Sequence, residues 1–198
     1  MKIFICIILL LLTACVQKKE ISQEKISFEQ MNKTITKEIN IIEVEKTLGE
    51  AVTKIIDTGR NRMNNIYLAC KSVSGKELSP GEEFSFNKAT GPRSKSRGYK
   101  DAPVILNGEK SYGVGGGVCQ VSTTIYMAVK NASLKITERH IHSEEVAYAP
   151  NHTDATVVYG EKDLRFKNNT DDTIYIYTWV EKGKVFSKII KKDIDIKE

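Results

Sequence analysis

The stretch Gly113–Ala132, GVGGGVCQVSTTIYMAVKNA, restricts what the chain can become more than any other. The glycines Gly115, Gly116 and Gly117 in succession demand a tight turn or a close approach of backbone to backbone. Immediately after them Val121, Ile125, Ala128, Val129 and Ala132 recur at helical spacing, which turns one face of a helix into core. Cys119 then lies at the helix N-terminus, where unpaired N–H groups and the positive end of the macrodipole favour an anion. A thiolate is such an anion: at helix starts a thiol pKa falls from about 8.5 into a reactive range, and the spare amides can hold a developing oxyanion. The same residues also allow a plainer arrangement, a turn followed by a small buried thiol.

The first residues set the compartment. Met1-Lys2 is followed by the apolar run IFICIILLLL, short for a membrane span and right for a signal peptide, and then by Leu12-Thr13-Ala14-Cys15. Those four residues resemble the bacterial lipoprotein signal, in which the cysteine carries the lipid. The expected organisation is a signal over residues 1–14, a polar tether over 15–39 and one domain with an N-terminal helical extension over 40–198, held at the outer face of the cytoplasmic membrane. Of the four cysteines, Cys6 leaves with the signal and Cys15 is lipidated. Cys70 and Cys119 are left in the fold, as free thiols or as a disulfide. The net charge of +5 is scattered, without an arginine-rich block, so it suggests anionic surfaces and not nucleic acid.

In chain order, Ile42, Val44, Leu48, Val52, Ile55 and Ile56 approximate a helical stripe, and the pattern predicts a helix from Asn40 to Ile56. Met63, Ile66, Ala69 and Cys70 predict a second helix over Arg62–Ser72. A short strand is expected at Phe84 and Phe86, another at Ala102–Leu106 before an Asn107-Gly108 turn, and a third from Leu134 to His142. Further strands are expected at Ala155–Tyr159, Leu164–Lys167, Ile174–Val180 and Lys184–Ile190, the last two forming a hairpin whose outer face is the aromatic row Tyr175, Tyr177 and Trp179. That order predicts an α+β domain, with the cysteine helix packed on a mainly antiparallel sheet.

A cysteine nucleophile needs a base in reach and a third group to fix the base's tautomer. His140, His142 and His152 all follow Cys119, and Asp154 lies just beyond. Alternation along a strand puts His140 and His142 on one face and cannot choose between them. No CxxC, HExxH or phosphate-loop pattern is present, so neither a metal nor a cofactor is expected.

The segments NNIYLA, LSPGEEFSFNKATGPRSKSRGYKDAPVI, GVGGGVCQVSTTIY, ERHIHSEEVAY and DATV resemble the VanW domain family. The resemblance implies a peptidoglycan L,D-transpeptidase with Cys119 as nucleophile, and peptidoglycan stem peptides as partners. It aligns Arg139, His142 and Ser143 with the family's Arg-x-x-His-Ser, and Asp154 with its Asp-Ala-Thr, which favours His142 as base. It further implies that the Cys119 amide, Gln120 and Ser122 attend the oxyanion or substrate, that Gly116 and Gly117 let the substrate backbone approach, and that Arg93 or Arg139 pairs with a stem carboxylate. His152 stands where the family has glycine, so a positive φ there would strain the loop presenting Asp154. Two rival activities use the same parts: a cysteine peptidase or carboxypeptidase on stem peptides, and a non-catalytic wall-binding accessory lipoprotein linked to glycopeptide resistance.

Overall fold

A computed structural model describes residues 40–106 and 109–197; the signal, the tether with Cys15 and the Asn107-Gly108 turn lie outside them. The described residues divide into a large unit, Glu45–Asp193, and a smaller one to which residues 40–44 and 194–197 belong. Among the described residues no helix is long and apolar enough to cross a membrane.

In chain order the elements are β1 (Asn40–Lys54), α1 (Arg60–Val73), β2 (Lys76–Leu78), β3 (Glu83–Ser85), α2 (Phe86–Thr90), β4 (Asp101–Leu106), β5 (Glu109–Val114), α3 (Val118–Asn131), β6 (Lys135–Glu138), β7 (Arg165–Lys167), β8 (Ile174–Glu181) and β9 (Lys184–Lys197). They build sheets of order β1-β9-β8-β2 and β3-β7-β6 and the hairpin β4-β5, and the pairings of β2 to β9 that set their registers are antiparallel. The fold is α+β, as the sequence leads one to expect.

The predicted helix over Asn40–Ile56 is instead strand β1. Its buried face is the odd one, Gly49, Ala51, Thr53 and Ile55, while the residues of the supposed helical stripe at Val44, Val52 and Ile56 are exposed. The inward face carries small residues because the strand runs against the backbone of α3: a Cβ on Gly49 would sit 2.3 Å from the Ala132 nitrogen and 2.5 Å from the Ala128 oxygen. The N-terminal helical extension is therefore absent from the described part, and among the described residues before Gly113 the long helix is α1.

Helix α1 follows its pattern, burying Ile66, Ala69, Cys70 and Val73. It packs on β8, where Ile174, Ile176 and Thr178 point inward and Tyr175, Tyr177 and Trp179 form the opposite row. Trp179 stacks on Phe186 across the hairpin, with ring centroids 5.2 Å apart, so that row covers the outer face of the sheet. Helix α3 is buried on more than one side: ten of its 14 residues are buried, the polar Gln120, Ser122, Thr123 and Thr124 among them. Each of those four is hydrogen-bonded, as burial requires.

Candidate active site

The turn that delivers Cys119 is built by backbone contact. Gly117 caps α3 with φ of +105°, a conformation that a side chain would strain. Gly116 lies so close to β4 that a Cβ would fall 2.5 Å from the Pro103 oxygen, and its carbonyl accepts Nδ2 of the fully buried Asn65. The same Asn65 bonds both the carbonyl and the N–H of Lys100, so α1, the glycine turn and the approach to β4 are tied at one point. Val118 and Gln120 donate their N–H groups back to Gly115 and Gly117, and the N–H of Cys119 lies between them in the open first turn of the helix.

Cys119 is half-buried as a residue, and its thiol contacts the Thr156 hydroxyl and the Val157 carbonyl, both at 3.6 Å. His142 is nearby, and its ring Nδ1 is 2.5 Å from Oδ2 of Asp154. The same carboxylate oxygen accepts the His142 backbone N–H at 2.8 Å, which fixes the residue at both ends. Nδ1 therefore carries the shared proton, and Nε2 is the nitrogen left for the thiol. Burial pushes the Cys119 thiol up, yet its net shift is down, because the hydrogen bond and charge of His142, with smaller contributions from Val157 and Thr156, outweigh burial. Burial likewise pulls His142 down, and the thiolate together with Asp154 brings it above its usual value. The opposed directions favour a thiolate–imidazolium pair over the neutral partners.

The loop holding Asp154 is stitched to α3 and to Arg139. Ser122 donates to the Ala155 carbonyl at 2.6 Å, and Thr123 accepts the Ala155 N–H at 3.0 Å. Arg139 donates to the carbonyls of Asp154 and His152 and lies 4.4 Å over the Tyr126 ring. His152 has φ of +52°, the left-handed conformation expected where the family has glycine.

These contacts redistribute several expected roles. The Gln120 side chain is 1% exposed and turned toward β1, giving its amide to Thr53 and Lys54 and its oxygen to Arg62, so it has no N–H for an oxyanion. Ser122 and Arg139 secure the Asp154 loop and do not point into the cleft. Gly116 and Gly117 pack against β4 and α1 and also line the cleft. Arg93 does line the cleft. Cys70 and Cys119 are free thiols, which removes the disulfide; Cys70 is buried beside Thr178 and burial pushes it up to about 11. His140 pairs with Glu138, away from the thiol.

Cys119 and His142 open on a cleft of about 890 Å³, walled by Pro103, Val104 and Tyr112 of the β4–β5 hairpin on one part and by Tyr148 and Thr156–Tyr159 on another. This constellation falls within the segment that a family described as "VanW like protein" matches, residues 61–190. The chain belongs to the VanW family. Among its VanW relatives, uncharacterized protein YoaR of Bacillus subtilis strain 168 is 40% identical over 147 residues, 74% of this chain and 48% of the relative. Vancomycin B-type resistance protein VanW of Enterococcus faecalis strain ATCC 700802 / V583 is 31% identical over 134 residues, 65% and 49% of the two chains. The chain thus spans about half the length of these curated relatives. No solved structure matches it.

Three residues of this VanW chain enter the site without a sequence signal. Thr156 touches the thiol, a role that its place in the family's Asp-Ala-Thr and in an expected strand did not assign. Tyr148 lines the cleft, and burial, reinforced by the charges of Cys119 and Asp154, pushes its phenol strongly up, so it stays a hydroxyl donor. Arg62 reaches the cleft from α1, where a helical arginine reads as solvated surface.

Proposed function

We propose that this VanW protein is a cysteine-dependent acyltransferase of the cell wall, a peptidoglycan L,D-transpeptidase. The observation that carries this is the relay Cys119–His142–Asp154 at the first turn of a buried helix, opening on a cleft large enough for an extended peptide. The name of the enterococcal relative, which ties that protein to vancomycin resistance, supports a wall substrate.

In this reading the Cys119 thiolate attacks the carbonyl carbon at the third residue of a donor stem, forming the C–S bond. The oxyanion is held by the Cys119 N–H at the helix start, with the Tyr148 hydroxyl as a second donor. As the tetrahedral adduct collapses, the C–N bond breaks and His142 gives its Nε2 proton to the departing D-alanine amine, leaving a thioester. An amine from a neighbouring stem then attacks the thioester, His142 takes its proton, and the C–S bond breaks to return the thiolate and leave a 3-3 cross-link. Asp154 holds the imidazole in one tautomer through both halves. Lipidation at Cys15 would keep the site outside the membrane, beside the wall.

Muropeptides from cells producing the wild type or Cys119→Ser test this. Loss of 3-3 cross-links in the variant supports the proposal, and unchanged cross-linking overturns it. Trimmed stems without cross-linked product would assign the acceptor to water, making the protein a carboxypeptidase.

A further inference from the structure

Among the described residues four buried side-chain polar atoms have no partner, and two of them are guanidinium nitrogens of arginines that line this cleft: Nε of Arg62 and Nη2 of Arg93. A buried donor left unpaired keeps its full desolvation cost, more so when charged, so two at the wall of one cleft call for an explanation. The two arginines sit on opposite glycines of the turn that delivers Cys119. A Cβ on Gly115 would lie 2.9 Å from Cβ of Arg93, and one on Gly117 would lie 3.0 Å from Cγ of Arg62. The glycine turn thus seats both arginine stems, which accounts for its composition beyond the tight bend itself.

The remaining contacts of each guanidinium fix its orientation without neutralising it. Arg93 gives Nη1 to Asn87 Oδ1 at 2.6 Å and to the Gly91 carbonyl, and lies against the rings of Phe86 and Tyr159. Arg62 gives Nη2 to Gln120 Oε1. Neither makes an ion pair among the described residues. Two oriented cations with no ion-pair contact, beside a nucleophile, match a carboxylate, the anion whose two oxygens fit guanidinium N–H groups.

We propose that Arg62 and Arg93 form a subsite for the free carboxylate of the residue on the leaving side of the scissile bond, so that the site selects peptides ending one residue beyond the attacked carbonyl. This rests on Cys119 being the acyl-transfer nucleophile and adds the feature of the donor that the site reads: its free C-terminus.

The test separates binding from chemistry. Calorimetric titrations on the full-length Cys119→Ala protein use a stem tetrapeptide, L-Ala-γ-D-Glu-L-Lys-D-Ala or its diaminopimelate counterpart, as the free acid and as the C-terminal amide. The acid should bind at least tenfold more tightly than the amide. Adding Arg93→Met or Arg62→Met, each of which keeps the stem that packs on its glycine, should cut that preference to within threefold by weakening acid binding alone. The lysine variants Arg93→Lys and Arg62→Lys should retain part of it. Equal affinity for acid and amide, no binding of either, or a preference that survives both methionine variants overturns the subsite. Whether wild type forms a covalent adduct at Cys119, read by intact mass, judges the nucleophile separately.

Discussion

His142 is held twice by one oxygen of Asp154, through its backbone N–H at 2.8 Å and its ring Nδ1 at 2.5 Å, with the two side chains 12% and 2% exposed. A carboxylate in that position sets both where the imidazole is and which nitrogen bears the proton. Asp154→Asn keeps the shape but can present an N–H to Nδ1, which would move the ring proton to Nε2 and remove the base facing the thiol. Formation of the Cys119 acyl adduct in single-turnover experiments should slow by about 10³–10⁴-fold. A loss smaller than tenfold in a folded variant would remove Asp154 from the relay.

The pKa directions of Cys119 and His142 give a pH profile with a definite sign. Cys119 is shifted down and His142 up, each by the charge of the other, so both shifts favour the thiolate–imidazolium pair. Protonating the sulfur removes the nucleophile, and deprotonating His142 leaves no proton for the leaving amine. Iodoacetamide labelling of Cys119 should therefore rise with pH through a midpoint below the ordinary thiol value of about 8.5. In His142→Gln the stabilising charge is gone while burial stays, so the midpoint should move above that value. Cys70, buried and pushed up to about 11, should stay unlabelled until the protein unfolds, which makes it an internal control in peptide mapping.

The helix starting at the glycine turn and the hairpin of β8 and β9 were legible in the sequence because the apolar residues of each repeat with one period. Strand β1 was not, since its inner face is Gly49, Ala51 and Thr53, residues chosen for closeness to a helix and invisible to a hydrophobicity pattern. The histidines show a similar limit. Alternation placed His140 and His142 together, but the register slips between Ile136 and Glu138, β6 ends at Glu138, and His142 is positioned by Asp154 from a loop. Cys119 came from its place at a helix start, the family resemblance chose His142 and Asp154 and named Arg93, and Arg62 came from neither source, because only three dimensions reveal which N–H groups are left unpaired.

His152 holds φ of +52° on an exposed loop next to Asn151 at +58°. Asparagine tolerates that conformation, whereas histidine pays roughly 1 kcal/mol for it. What the loop needs from the residue is its carbonyl, which accepts Arg139, and glycine supplies the same carbonyl. Even after the greater freedom glycine gives the unfolded chain, His152→Gly should stabilise by about 0.5 kcal/mol, a rise of roughly 1–2 °C in Tm by calorimetry. Labelling of Cys119 should be unchanged. A lower Tm would mean that the imidazole of His152 makes a stabilising contact of its own.

Gly49 provides the sharpest test of the strand that replaced the expected helix. In β1 its α-carbon faces the end of α3, and a methyl group there would fall 2.3 Å from the nitrogen of Ala132 and 2.8 Å from the carbonyl carbon of Asn131. Those are main-chain atoms of a helix end that already closes its own bonds, Ala132 N–H to Ala128 at 2.9 Å, so no rotamer change can make room. The strand must lift, and with it the Asn131 side chain's bond to the Glu50 carbonyl and the hold of Thr53 and Lys54 on Gln120. Gly49→Ala should therefore destabilise by about 2–3 kcal/mol, at the upper end of what overpacking costs. Had residues 40–56 been a surface helix, the same change would have stabilised it by roughly 1 kcal/mol. Denaturant unfolding of the two proteins separates the alternatives by the sign of the difference alone.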